Sequence, residues 1–211
     1  MTRAVLFDAD GVLINGWHDL PAKRRRWDTN LEEDMGVRPD DFSKLFDGEE
    51  FVNEVLTGRK SLVVTLEEFL PKVGYFGMPM SFIAYWLDRD CQLNRPLIAA
   101  IKRLRASSAA RLYIATNQEH LRAFYLWHRL HLDQIFDDIF YAARLGVKKP
   151  DSAFYRKVDA RIDDSGVPPL FFDDSPAVVS AANSHGWEAV AFEQVSDFTT
   201  YPWIADQLGG R

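Results

Sequence analysis
The chain has 211 residues, with 47% hydrophobic and 27% charged side chains. At roughly 100–200 residues per domain this allows one large domain, or one domain with an insertion, of ordinary globular composition. Lys plus Arg is 25 and Asp plus Glu is 31, giving a formal charge of −6, so the balance offers no electrostatic footprint for nucleic acid or an anionic membrane. A single cysteine, Cys91, excludes an internal disulfide framework and a multi-Cys zinc site. Met1 is followed by no long apolar h-region with a cleavage site, and no apolar span of about 20 residues occurs. A cytoplasmic protein without a membrane helix is expected.

Taken in chain order, the first apolar run is Ala4 to Phe7, which leads into Asp8-Ala9-Asp10-Gly11. Residues 15–92 then break the pattern, being rich in charges and aromatics. Leu31–Met35, Phe42–Phe46, Phe51–Leu56, Leu66–Leu70 and Phe82–Trp86 read as short amphipathic helices, punctuated by Gly36 to Pro39, Gly58 and Pro71. This stretch is expected to be a helical insertion, with residues 1–14 and 93–211 forming the surrounding core. Further on, apolar runs at Leu112–Ala115, Ile139–Ala142, Leu170–Phe172 and Ala189–Phe192 suit strands buried on both faces. Helical spacing at Leu97–Arg105, Glu119–Leu130 and Ala153–Ile162 fills the gaps between them. Alternating strands and helices imply an α/β fold: a Rossmann-like parallel sheet flanked by helices, with the small helical insertion.

In such sheets ligands bind beyond the carboxyl ends of the strands. Asp8 and Asp10 stand two residues apart, so in extended backbone both face the same way. Asp173-Asp174 follow another strand. Gathering carboxylates is unfavourable without a cation, and Mg²⁺ is the common oxygen-liganded choice beside phosphate. Lys149 could add an ammonium, and Thr116-Asn117 a hydroxyl, an amide and backbone donors. This inventory suits phosphoryl transfer, in which charge on the equatorial oxygens must be stabilised.

Four motifs in order resemble the haloacid dehalogenase-like (HAD) hydrolase superfamily: Phe7-Asp8-Ala9-Asp10-Gly11-Val12, Ala115-Thr116-Asn117, Lys149-Pro150-Asp151 and Phe172-Asp173-Asp174-Ser175-Pro176. The insertion after the first motif resembles the helical cap of a subgroup that includes sugar-phosphate phosphatases and the amino-terminal phosphatase domains of some epoxide hydrolases. The resemblance implies Mg²⁺-dependent hydrolysis of a small phosphomonoester, with Asp8 as nucleophile and Asp10 as acid and base. It also implies phosphoryl contacts from Thr116 and the Asn117 N–H, and charge neutralisation by Lys149. Asp8, the Asp10 carbonyl and Asp174 would hold the metal, and Asp173 would do so directly or through water. Asp10 and the Asp173-Asp174 pair favour a phosphatase over a dehalogenase. A phosphomutase and a non-catalytic module binding a phosphometabolite are the other readings.

Plainer readings stand beside these. Asp8 to Gly11 could be a turn, and Thr116-Asn117 or Asp173 to Pro176 a helix cap. Lys23 to Arg26 fits a solvated helix face better than a substrate guide. Trp17 and His18 could line the substrate pocket; Trp17 fits the core of the insertion better, while His18 stays balanced. Gly58-Arg59-Lys60 reads as an exposed turn, Trp127 as core, His128 and His131 as surface, and Cys91 as a small buried residue.

Overall fold
The computed structural model describes residues 2–19, 21–162 and 166–209; the outer ends of the expected core, residues 1 and 210–211, lie outside these. Five strands form one sheet: β1 (Arg3–Phe7), β2 (Ala110–Thr116), β3 (Asp138–Tyr141), β4 (Leu170–Asp173) and β5 (Glu188–Ala191). Their order is β3-β2-β1-β4-β5, and every neighbouring pair is parallel. The expected α/β sheet is therefore present.

Parallel pairing requires crossovers, and these put helices on both faces. Alternate residues of β1 enter two separate cores. Val5 and Phe7 join Leu112, Ile114, Leu170 and Phe172 under α5 (Arg95–Ser107), α10 (Val195–Thr199) and α11 (Pro202–Gly209). Leu6 joins Ala115 and Phe171 on the opposite face, under α8 (Ser152–Asp159) and α9 (Pro176–His185). The central strands β1 and β4 thus bury every side chain, which explains their unbroken apolar runs, while β5 at the sheet edge is only partly covered. Boundaries differ slightly from expectation. β2 begins at Ala110, Ala142 already opens the short helix α7 (Ala142–Leu145), and Phe192 lies beyond β5.

The chain between β1 and α5 contributes only helices among the described residues. These are α1 (Leu31–Met35), α2 (Pro39–Phe46), α3 (Leu62–Phe69) and α4 (Pro79–Asp90), with a π-helical turn at Phe51–Val55. Aromatic side chains hold them together: Phe42 meets Phe46 edge-on at 5.1 Å and Phe82 at 4.6 Å, and Phe46 reaches Trp86 at 5.1 Å. The insertion leaves and returns through two antiparallel legs. Ile14 bridges Leu93, Asn15 N–H donates to Gln92, and Asn94 N–H donates to Leu13.

Two expected helices take other forms. The span Glu119–Leu130 divides into α6 (His120–Phe124) and a π-helical Tyr125–Arg129. Trp127 is half-buried and packs against the core, with His128 and His131 outside as expected. The Lys23 to Arg26 run makes no helix face: only Pro21–Lys23 forms a short 3-10 turn. No helix among the described residues is long and apolar enough to cross a membrane.

Phe172 is fully buried, stacks on Phe7 at 5.5 Å and meets Phe198 at 5.3 Å. Phe172→Ala is expected to lower unfolding stability by about 3–5 kcal/mol. Denaturant titration checks this, and an unchanged midpoint would show that the stack contributes nothing.

Candidate active site
The strand order reverses beside β1: β2 and β3 lie on one side of it, β4 and β5 on the other. Such a switch point opens a crevice at the carboxyl ends. Register decides what meets there. Phe7 pairs with Phe172, and the next residue on each strand is an aspartate. Asp8 N–H donates to the Phe172 carbonyl at 2.9 Å, holding Asp8 beside Asp173. Asp174 reaches across onto Gly11. A β-carbon at Gly11 would sit 2.3 Å from Asp174 Oδ2, and Gly11 has a φ of +73°. Both the space and the left-handed backbone require glycine there.

Lys149 arrives from the loop between α7 and α8. Its ammonium is buried, 2.6 Å from Asp173 Oδ2 and 3.0 Å from Asp8 Oδ1. Lys148, the other lysine of the pair, makes no such contact. The Asn117 side chain sets the position of Lys149. Its Oδ1 accepts from the Lys149 N–H at 2.8 Å, and its Nδ2 donates to the Lys149 carbonyl at 3.0 Å. Thr116 is buried at the end of β2, next to this clamp. Asp8, Thr116, Asn117, Lys149, Asp173 and Asp174 therefore line one cavity.

The charges are strongly coupled. Burial pushes the Asp8 carboxyl up to about 8; Lys149 pulls it down, while Asp173, Asp174 and Asp10 push it further up. Burial also lifts Asp174 to about 6, against the lowering effect of the Asp19 N–H. Burial alone would lower the Lys149 ammonium, but Asp173 and Asp8 outweigh it and hold it above its ordinary range. Asp8, Asp173 and Asp174 each offer a carboxylate oxygen, all within 4.8 Å of one another. Three hard oxygen donors facing one ammonium fit a divalent cation such as Mg²⁺.

Asp10 points elsewhere. Its Oδ1 accepts from Arg122 Nη2 at 2.7 Å, and its Oδ2 accepts from Arg122 Nη1 and Gln118 Nε2, each at 2.6 Å. Arg122 Nη2 also reaches Asp90 Oδ2 at 2.7 Å, at the last residue of α4. A single guanidinium thus ties the returning leg of the insertion to the Asp10 loop. Burial would lower the Arg122 group, but Asp10 above all, with Cys91 and Asp90, raises it well beyond its ordinary value. Arg122, Gln118 and Asp90 escaped the sequence reading. Helical spacing did carry a signal, because Arg122 stands four residues before Leu126, which is fully buried.

The two cap-side candidates go different ways. Trp17 is 48% exposed at the cavity wall, with the Arg24 guanidinium 4.9 Å from its ring, so it is no core residue of the insertion. Its aromatic surface is covered by a cation instead of by neighbouring helices. His18 is 6% exposed and places Nδ1 3.2 Å from Asp174 Oδ2, behind the cavity wall. Burial, then Lys23, lowers its pKa and favours the neutral ring. Arg24, Arg25 and Arg26 are exposed, as the solvated reading expects, and they also border the cavity. They get there because the backbone is extended past Lys23, with Arg25 N–H bonded to the Gly16 carbonyl at 2.8 Å. Arg59 and Lys60 occupy the expected outer turn, paired with Glu54, Glu50 and Glu68.

Removing the shared cation should be costly, because it strands two carboxylates. Arg122→Ala is expected to lose about 3–5 kcal/mol of stability. Adding Asp90→Asn to it should restore part of that loss. A denaturation midpoint equal to that of the unmodified protein would show that the fork contributes nothing.

Comparison with known proteins agrees with this geometry. A curated relative, the sesquiterpene phosphatase AstK of Aspergillus oryzae, is 32% identical over 114 residues, covering 52% of this chain and 57% of the relative. The match therefore spans little more than half of either protein. The HAD family enzyme BT-2542 of Bacteroides thetaiotaomicron superposes with a TM-score of 0.72 at 16% identity, covering 94% of this chain and 97% of that one. The same enzyme has been solved as a complex with magnesium and inorganic phosphate, with a TM-score of 0.68, 18% identity and coverage of 90% and 94%. A predicted HAD-like family hydrolase from Porphyromonas gingivalis gives 0.69 at 23% identity, covering 90% and 91%. The family model of the haloacid dehalogenase-like hydrolases matches residues 2–186, and the chain belongs to that family.

Proposed function
We propose that this chain is a Mg²⁺-dependent phosphatase that hydrolyses a small phosphomonoester through an aspartyl-phosphate on Asp8, with residues 15–92 acting as the cap over the site. The observation that carries the reading is the meeting of Asp8 with Lys149, Asp173 and Asp174 at one strand-end crevice, with Asp10 on the same rim. The phosphatase name of the Aspergillus relative and the phosphate complex of the Bacteroides enzyme support the choice among hydrolases.

Asp8, Asp173 and Asp174, with the Asp10 carbonyl, would hold Mg²⁺. When bound, the ion supplies positive charge that offsets these carboxylates and an incoming phosphoryl group. Lys149 neutralises Asp8 and orients it. Thr116 and the Asn117 N–H bind phosphoryl oxygens, while the Asn117 side chain keeps Lys149 in place.

An oxygen of Asp8 forms a bond to phosphorus as the ester P–O bond breaks. The leaving oxygen takes a proton from the Asp10 carboxyl, and the alcohol departs. Asp10, now a carboxylate, takes a proton from water as the water oxygen attacks phosphorus. The bond between Asp8 and phosphorus then breaks, releasing inorganic phosphate and restoring both residues. Both Asp10 oxygens are held by Arg122 in the structure, so the acid role requires one of them to be released toward the ester. A dehalogenase needs no acid for its leaving halide and no clustered carboxylates, which disfavours that reading.

Asp8→Asn is expected to abolish phosphate release and covalent labelling by a phosphate ester, while circular dichroism stays unchanged. A folded Asp8→Asn protein that still turned over would rule out the covalent route.

A further inference from the structure
The cavity above Asp8 holds about 590 Å³, within the range of roughly 300–1,000 Å³ that takes a whole organic ligand. A phosphoryl group fills a small part of that space. The remainder has a marked chemical polarity. Thr116, Asn117, Gln118, Lys149 and the aspartates sit at the strand-end floor. The wall contributed by the insertion is mostly apolar, with Trp27, Phe42, Phe46, Phe51, Leu56 and Trp86 outnumbering Asp28, Ser43 and Asp47. Phe46 meets Phe51 edge-on at 5.0 Å and Trp86 at 5.1 Å, so these rings pack as one aromatic cluster bordering the cavity.

Polar side chains are the minority on that wall, where Asp28, Ser43 and Asp47 stand among six apolar ones. Ser43 Oγ already donates to the Asp40 carbonyl at 3.0 Å, and Asp28 is held by Arg26 at 2.9 Å. A polyol seated there would leave several hydroxyls desolvated and unpaired, which costs binding energy at each one. A hydrocarbon would instead gain on transfer from water. The mouth is cationic: the Arg24 guanidinium lies over Trp17, and Arg25 pairs with no carboxylate among the described residues. Such a mouth attracts the anionic head of an ester without recognising its organic part.

We propose that the organic group of the substrate is apolar, a hydrocarbon chain or ring system in place of a sugar. This rests on the phosphatase reading above and narrows it. The phosphate sits on the strand-end floor, and the hydrocarbon lies along the Phe46 wall. Specificity then follows apolar contact area, with no demand for patterned hydroxyls.

The test is a series of alkyl monophosphates from methyl to octyl, kept below micelle-forming concentrations, beside phenyl phosphate, glucose 6-phosphate and ribose 5-phosphate. The expected result is a kcat/KM rising roughly fourfold per methylene, equivalent to ~0.8 kcal/mol of apolar burial, until the wall is covered. Phenyl phosphate above methyl phosphate would add aromatic groups to the accepted class. Octylphosphonate, which cannot be hydrolysed, should bind and perturb tryptophan fluorescence. Phe46→Ser and Leu56→Gln should each cut the octyl-to-methyl ratio at least severalfold. A flat alkyl series, or sugar phosphates preferred over octyl phosphate, would overturn the substrate class and leave the phosphatase standing. No phosphate release from any ester would overturn both.

Discussion
Three carboxylates and one ammonium share one largely buried corner of the sheet, and the rest of the site is arranged around that crowding. Two unit charges no more than 4.8 Å apart repel by at least about 3.5 kcal/mol at an effective dielectric constant near 20. Such a cluster persists only where the fold holds it. The pairing of β1 with β4 places Asp8 beside Asp173, Gly11 leaves room for Asp174, and Asn117 fixes the backbone of Lys149. The ammonium contacts Asp173 and Asp8. Asp174 is met by a backbone N–H and a ring that burial keeps neutral. The corner therefore retains negative charge that a divalent cation would offset.

A second charge cluster links the sheet to the insertion. Arg122 forks onto Asp10 and Asp90, and Gly16 packs against Asp90 so closely that a β-carbon would stand 2.9 Å from its Oδ1. The leg that leaves for the insertion and the leg that returns are thereby held to the loop carrying Asp10. Above them the aromatic wall and the charged floor face one another across a single cavity. The strand ends supply charge and the inserted helices supply most of the apolar surface, so under the proposed function phosphate chemistry and recognition of the organic group would fall to different layers of the fold.

The sheet and the four loops at its rim were readable in the chain order because they leave one-dimensional marks. Strands buried on both faces appear as unbroken apolar runs such as Leu170 to Phe172, and the polar residues directly after them fall on the rim. Charge alone does not distinguish Lys149 from Lys148; burial between Asp8 and Asp173 does. Arg122 was missed because its partners, Asp10 and Asp90, lie 112 and 32 residues away. An α-turn and a π-turn share nearly the same spacing over five residues, so Phe51–Val55 and Tyr125–Arg129 looked like ordinary helix. Arg24 to Arg26 read as solvent-facing and are exposed; that they also border a cavity was not legible, because its other walls come from helices further along the chain. Trp17 reads as core of the insertion, but it is half exposed with the Arg24 guanidinium over its ring.

The claim that a divalent cation completes the Asp8, Asp173 and Asp174 corner is tested most directly by electron paramagnetic resonance titration with Mn²⁺ as the Mg²⁺ stand-in. The unmodified protein should take up one ion per chain, displaced by excess Mg²⁺, and Asp174→Asn should weaken uptake at least tenfold. A free-ion signal that the protein does not diminish, or equal uptake by Asp174→Asn, would contradict the account.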